Sequence, residues 1–325
     1  THTMLTEEEF ALAALSNDTN YDACYLSSQT TISHNLRDKG NFYPLNEVPG
    51  VMEYLDQCFP YVKEAATDEE GNIWMLPIEV DIDVMLIQKE NCEKEDLLLW
   101  EANSPEELYE MVEGIDNEKF EHGREYNFNN VAFRRVLLNR YFQDHQTVDT
   151  AEFRELCTLL KRTYQLVEPD FGMRDMLSEY VSGNASDLLF YALNTSTKQT
   201  SSHLLNEETL TMLPVSGSEK PYMATCIFLA VNPSSDNLEN TLKYITALSG
   251  YLMTLRNSGL TSDISNYTDS VYMKSFYETY QDAVITFELP GDIYRVDFQR
   301  YVDDEIELEE LIREVDRKLD IYLNE

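Results

Sequence analysis

The chain has 325 residues, of which 43% are hydrophobic and 26% charged, a composition typical of a folded protein long enough for two domains. Its 60 acidic and 24 basic side chains give a formal net charge of -36, which repels phosphate backbones and excludes nucleic acid as an expected partner. The acidic residues are spread along the chain, which favours a solubility role, and no apolar run approaches the roughly 18–20 residues of a membrane-spanning helix.

Local patterns predict short strands that alternate with helices. Ser104-Pro-Glu-Glu107 is a strong helix start, because it combines a serine N-cap, proline at the first helical position and glutamate three residues after the cap. The alternation predicts an α/β fold with mostly parallel pairing. In chain order the predicted elements are helix Thr6–Leu15, strand Tyr21–Leu26, strand Ile73–Leu76, extended segment Val80–Ile87, helix Ser104–Val112, helices Asn130–Phe142, Ala151–Leu166 and Phe171–Val181, strands Asp187–Asn194, Leu210–Val215 and Ala224–Val231, a helix capped by Asn232–Asp236 that ends near Leu255, helix Val271–Ile285 and helix Ile306–Leu323.

Motifs for cofactor or metal chemistry are missing. The chain contains no GxGxxG or Walker-A loop, no HExxH and no GxSxG, its five histidines are scattered, and its five cysteines form no CxxC. We therefore expect no cofactor and no metal. Asp81 and Asp83 alternate in an extended segment, so both are expected on one face of a strand. They could bind a polar ligand, and the alternative is a hydrolase that uses two carboxylates.

Several segments resemble the extracellular solute-binding proteins of bacterial ABC importers, in particular the maltose- and oligosaccharide-binding group. They occur in the order of that family and span nearly the whole chain. The opening strand and helix of the family precede the first segment and are missing here, so the chain is expected to begin partway into the first lobe. The resembling segments are Asn20–Ser28 with Leu36–Leu45, Ala65–Pro77, Leu210–Pro214 with Ala224–Asp236, and Tyr301–Leu311.

The resemblance implies a type II periplasmic-binding-protein-like fold, in which a multi-crossover hinge joins two α/β lobes and the ligand lies between them. The implied lobes are 1–79 with 229–265 and 80–228 with 266–325. Matching positions imply ligand contacts after the first strand, at the first crossover, at the end of the second-lobe strand, before the return crossover and in the penultimate helix. These implied ligand-binding residues are Ser27, Ser28, Gln29, Asp81, Tyr191, Asn194, Tyr222 and Tyr294.

The same resemblance implies a binding protein rather than an enzyme. Its partners would be a small polar solute, with a sugar favoured, and the permease subunits of an ABC transporter. We expect a monomer that is extracellular and held to the cell membrane by a lipid anchor on its precursor. Tyrosine rings with amides and carboxylates suit sugars, whose C–H faces stack and whose hydroxyls need hydrogen bonds.

Three alternatives stay open at this point. The acidic balance would also suit a polyamine, and a peptide is the other candidate solute. A carbohydrate-active hydrolase would need two acids at a productive separation in the cleft. A surface-anchored interaction protein would have no polar, ring-lined cleft for a small molecule.

Overall fold

A computed structural model shows a mixed α/β protein. The described residues are 13, 16, 18–28, 40–68, 70–88, 92–93, 96, 98–101, 107, 110–111, 137–138, 141–142, 145–164, 190–194, 210–213, 222–255, 260, 262–263, 281, 283–285 and 291–324.

The described strands and helices alternate along the chain. The strands are β1 (Ala23–Ser27), β2 (Met75–Gln88), β3 (Phe190–Asn194), β4 (Leu210–Leu213), β5 (Tyr222–Val231) and β6 (Ala283–Ile285). The helices are α1 (Val51–Leu55), α2 (Pro60–Ala66), α3 (Ala151–Tyr164), α4 (Leu238–Leu252), α5 (Gly291–Val302) and α6 (Leu308–Asn324), with a 3-10 turn at Leu99–Glu101. Of the helices predicted from the sequence, Phe171–Val181 lies outside the described residues, as do most residues of Thr6–Leu15, Ser104–Val112 and Asn130–Phe142.

The chain divides into two compact units. Unit 1 comprises Thr1–Asp81 and Ala224–Leu289, and unit 2 comprises Ile82–Met223 and Pro290–Glu325. The chain therefore passes between the units three times, within β2, within β5 and just before α5. The lobe boundaries predicted from the sequence stay a prediction.

Unit 1 is built around β5. Strand β1 pairs antiparallel with it from Ala23, opposite Val231, to Ser27, opposite Ile227, and β6 pairs with it as well. Along β5, every residue from Phe228 to Val231 is buried, as expected of a strand that is covered on both faces. Helices α1 and α4 pack so closely that a Cβ built on Gly50 would lie 3.1 Å from the Ser249 hydroxyl.

Unit 2 combines a sheet with a helical layer. Strand β2 pairs antiparallel with β3 and with β4. Helices α3, α5 and α6 pack against one another. The Asp297 carboxylate of α5 is 5% exposed and accepts a 2.6 Å hydrogen bond from Lys318 of α6. Arg154 of α3 donates two 2.9 Å hydrogen bonds to Glu309 of α6.

Two predictions about the strands are wrong in the described residues. Mostly parallel pairing was predicted, but the three described registers are antiparallel, because alternation along a chain fixes neither which strands pair nor their direction. The helix predicted for Val271–Ile285 does not reach its end, since Ala283–Ile285 is strand β6. The β-branched Val284 and Ile285 fit the pleated surface beside β5.

Pro77 lies inside a continuous strand, although the sequence predicted a break between Leu76 and Val80. Proline has no N–H to donate, which usually excludes it from a strand interior. Its carbonyl still accepts, and the Tyr54 hydroxyl donates to it at 2.7 Å. Strand β2 nevertheless runs unbroken from Met75 to Gln88.

Candidate functional site

The end of β1 carries the first three predicted ligand-binding residues. Ser27 is the last residue of the strand and is half-buried, and Gln29 lies outside the described residues. Ser28 is 0% exposed, and its N–H donates to the Cys226 carbonyl at 2.8 Å. The Cys226 N–H donates back to the Ser28 hydroxyl at 2.9 Å. The Ser28 side chain is thus engaged with the main chain of β5.

Asp81 and Tyr222 lie beside crossing points of the chain. Asp81 is the last residue of unit 1 before β2 enters unit 2. Tyr222 is the first residue of β5, two residues before the chain returns to unit 1 at Ala224. Both predicted residues are therefore on the two strands that connect the units along the chain.

Asn194 and Tyr191 lie on β3 in unit 2. The register places Asn194 directly opposite Asp83 of β2, whereas Tyr191 is opposite Leu86. Residues that face each other across an antiparallel pair lie on one face of the sheet, and neighbours along a strand alternate. The register thus places Asn194 opposite Asp83. Tyr191 is three residues from Asn194 along β3, so the two positions alternate to opposite faces of the sheet.

Tyr294 is a core residue of unit 2 in this structure. It lies on α5, is 3% exposed, and its ring centroid is 6.2 Å from that of Phe142. Phe142 in turn contacts the rings of Tyr141 and Phe153. The ring of Tyr294 therefore packs among aromatic neighbours. Its role as an aromatic platform for a ligand stays a prediction.

Sequence reasoning missed Tyr54. Its side chain is fully buried, and burial is the main reason why the pKa of its hydroxyl is raised, with further contributions from Cys58 and Cys226. The hydroxyl donates to Pro77, four residues before Asp81. Nothing in the segment Val51–Leu55 distinguishes this tyrosine from any core aromatic residue, so no sequence signal could have identified it.

Among the described residues, two buried thiols have raised pKa values, and no cluster of side chains could hold a metal ion. Burial raises the pKa of the Cys58 thiol to about 12, although hydrogen bonding with Tyr54 and the charge of Lys63 oppose it, and burial likewise raises that of Cys92 to about 12. Within the described ranges, no group of three or more His, Cys, Asp or Glu side chains could hold a metal ion. In the same part of the chain, no helix is long and apolar enough to cross a membrane.

Comparison with solved structures finds the same fold along nearly the whole chain. A maltose-bound MalE3 of T. maritima superposes with a TM-score of 0.69 at 12% identity, covering 98% of this chain and 89% of that one. An ABC transporter solute-binding protein of Agrobacterium vitis with bound D-mannitol gives 0.70 at 14% identity, with 98% and 88% covered. An ABC substrate-binding protein of Listeria monocytogenes in complex with cycloalternan gives 0.69 at 11% identity, with 99% and 90% covered.

No protein-family model and no curated protein matches the chain in sequence. Identities of 11–14% establish a shared fold and nothing finer. The chain has the type II periplasmic-binding-protein fold that its sequence predicted, with the multiple crossings between two α/β units that distinguish this fold.

Proposed function

We propose that this protein is the solute-binding component of an ABC importer and that its solute is a sugar or an oligosaccharide. The observation that carries the proposal is the likeness over 96–99% of the chain to binding proteins whose structures hold maltose, D-mannitol, D-tagatose or cycloalternan. Binding without turnover is the mechanism, because these similar proteins are binding proteins of transporters.

Residues from both units are proposed to contact the solute. Asp81 and Tyr222 are on the crossing strands, and Asn194 lies opposite Asp83 in unit 2. A carboxylate and an amide supply the acceptors and donors that sugar hydroxyls need, and a tyrosine supplies both a ring face and a hydroxyl. Binding would favour a closed arrangement of the two lobes by hinge rotation.

The proposal extends to the setting of the protein. Its closed form would dock on the permease subunits of the importer. The protein would act as an extracellular monomer that a lipid on the precursor holds to the cell membrane. The net charge of -36 is compatible with this setting, because it opposes self-association and keeps a monomer soluble.

A thermal-unfolding screen tests the proposal. The probes are maltose, D-mannitol, D-tagatose and cycloalternan, with spermidine and a tripeptide as the competing solute classes. A bound solute stabilises the native state by about 2.7 kcal/mol at a hundredfold excess over its Kd, which raises the Tm by several degrees. A response to a sugar is the expected result. A response to spermidine alone would identify the solute as a cation instead of a sugar. The absence of any response from a folded sample would contradict the proposal.

The variant Asp81→Asn identifies the site. Loss of a hydrogen bond from a charged group should raise the Kd of the responding sugar by roughly tenfold to a hundredfold. Asp56→Asn is the matched control, because the Asp56 carboxylate is exposed and pairs with Lys63 at 2.6 Å in unit 1. Equal changes in the Kd for the two substitutions would show that Asp81 does not contact the solute. Release of a chromophore from a nitrophenyl glycoside would instead favour the hydrolase.

A further inference from the structure

A buried hydroxyl anchors the first crossing strand within unit 1. Tyr54 of α1 is 0% exposed, and its hydroxyl donates to the carbonyl of Pro77 at 2.7 Å. The Pro77 residue is itself buried and lacks an N–H, so its carbonyl is its one main-chain hydrogen-bonding group. Asp81, the last residue of unit 1, follows four positions later on the same strand.

A second buried hydroxyl anchors the other crossing strand. Ser28 and Cys226 exchange two hydrogen bonds, one of 2.8 Å from the Ser28 N–H and one of 2.9 Å to the Ser28 hydroxyl. Both residues are 0% exposed. Tyr222 precedes Cys226 by four positions. The side-chain oxygen of Ser28 therefore extends the β1–β5 pairing by one residue beyond Ser27, opposite Ile227.

The two anchors hold neighbouring strands of unit 1. Strands β2 and β5 are neighbours in the sheet. Burial is the main cause of the raised pKa of Tyr54, and Cys58 and Cys226 add to it. The Cys58 thiol also donates to the Tyr54 carbonyl at 3.4 Å. Tyr54 thus holds β2 through Pro77, and Ser28 holds β5 through Cys226.

We infer that Tyr54 and Ser28 are positioning residues for the solute site. They fix β2 at Pro77 and β5 at Cys226, so that Asp81 and Tyr222 each extend four residues from a fixed point. Bending that accompanies solute binding is then confined to residues 78–82 and 222–225. The role of the two residues at a solute site rests on the proposed function. The anchoring of the strands rests on the hydrogen bonds within unit 1 alone.

Hydroxyls suit this task better than apolar side chains of the same size. A hydrogen bond is directional and holds its two heavy atoms within a few tenths of an ångström of one distance. Phenylalanine at position 54 would fill the same space but remove the hydroxyl that donates to the buried Pro77 carbonyl. Alanine at position 28 would likewise leave the Cys226 N–H without its acceptor, and buried groups left unsatisfied are strongly unfavourable.

Hydrogen exchange of the ligand-free protein, followed by mass spectrometry, tests the inference. In Tyr54→Phe, amides of residues 78–82 should exchange roughly tenfold faster, which is the change expected for one lost buried hydrogen bond. In Ser28→Ala, the same is expected for residues 222–226. Exchange in α1, α2 and at residues 229–231 should stay at the wild-type rate.

The matched control is Tyr141→Phe in unit 2. The Tyr141 hydroxyl also donates to a main-chain carbonyl, that of Thr147, at 2.8 Å, but it anchors no crossing strand. Faster exchange throughout unit 1 in Tyr54→Phe would mean that the residue only stabilises the fold and would overturn the inference. Unchanged exchange at 78–82, or an equal effect of Tyr141→Phe on that segment, would overturn it as well.

Solute affinity provides the second measurement. With the sugar that gives the largest thermal shift, Tyr54→Phe and Ser28→Ala should each raise the Kd roughly tenfold, whereas Tyr141→Phe should leave it unchanged. If the wild-type protein binds no solute, the proposed function fails alone. The exchange pattern still decides whether the two hydroxyls fix the strands, because it is measured without ligand.

Discussion

The carboxylate of Asp68 organises the hairpin that leads into β2. One oxygen accepts a 2.7 Å hydrogen bond from the Asn72 N–H, and the other accepts from the Asn72 amide at 2.8 Å and from the Trp74 indole at 2.7 Å. Between them, Gly71 adopts a φ of +81°. A single acidic side chain therefore closes the turn and holds the indole in place.

These contacts make the hairpin sensitive to pH. Burial raises the pKa of Asp68, but the hydrogen bonds from Asn72 and Trp74 favour the charged form and prevail, so the pKa lies below its ordinary value of 3.8. A carboxyl whose pKa is lower in the folded state binds its proton more weakly there than in the unfolded chain. Its contribution to stability is therefore present above about pH 4 and is lost as the pH falls through the folded-state pKa.

Asp68→Asn should lower the Tm at neutral pH, because an amide nitrogen would face the donors of Asn72 and Trp74. The difference in Tm between wild type and variant should hold down to about pH 5 and shrink below pH 4. Asp56→Asn is the control, since its exposed pair with Lys63 contributes at most about 1 kcal/mol. A difference in Tm that grew on acidification would contradict this account of the hairpin.

The predicted site residues differ in how far the sequence could predict their positions in the fold. Asp81 and Tyr222 could be placed at crossings because the resembling segments flank them in order. The engagement of Ser28 with Cys226 could not be predicted, because the two residues are far apart in the chain and meet only through strand pairing. The same holds for Tyr54 and Pro77, whose hydrogen bond depends on how α1 packs under β2.

At the scale of helices and turns, two glycines provide a matched test of backbone conformation. A Cβ built on either Gly250 or Gly71 meets nothing within 4 Å. Gly250 lies in the last turn of α4, whereas Gly71 has a φ of +81° in the hairpin. The same substitution should therefore have opposite effects at the two positions, because space is equal and conformation differs.

Gly250→Ala should raise the free energy of unfolding by about 0.5–1 kcal/mol, since alanine loses less backbone freedom in a helix. Gly71→Ala should lower it by about 1 kcal/mol or more, because L-residues are strained at positive φ. Urea denaturation of both variants measures the two changes. Stabilisation by Gly71→Ala, or destabilisation by Gly250→Ala, would show that packing rather than backbone conformation dominates at that glycine.

Helices with a continuous apolar stripe were the most predictable elements. The pattern predicted Ala151–Leu166 and Ile306–Leu323, and the structure has α3 and α6 within two residues of those limits. The helical spacing of apolar residues is a local signal in both segments, so tertiary contacts changed the limits of the helices little. Strand direction was not predictable, because it depends on which distant segment becomes the neighbour, as with β1 and β5. Pro77 shows the same limit, since the hydroxyl that donates to its carbonyl comes from Tyr54 of α1.

At the scale of the whole molecule, the order of the resembling segments along the chain predicted the fold. Each resembling segment is weak by itself, and identities of 11–14% to the similar structures explain why. Together the segments predicted a chain that crosses repeatedly between two α/β bodies. The chain has these crossings at Asp81, Ala224 and Leu289. The identity of the proposed solute depends on a few side chains rather than on this order, so the sequence predicted the fold but not a particular solute.

Small-angle X-ray scattering with and without solute tests the central claim most directly. The protein is measured alone and with a millimolar mixture of maltose, D-mannitol, D-tagatose and cycloalternan. Closure of two lobes on a sugar predicts a radius of gyration that falls on addition of the mixture and recovers after dialysis. A radius of gyration that is the same with and without saturating sugar would contradict capture of a solute by a closing pair of lobes.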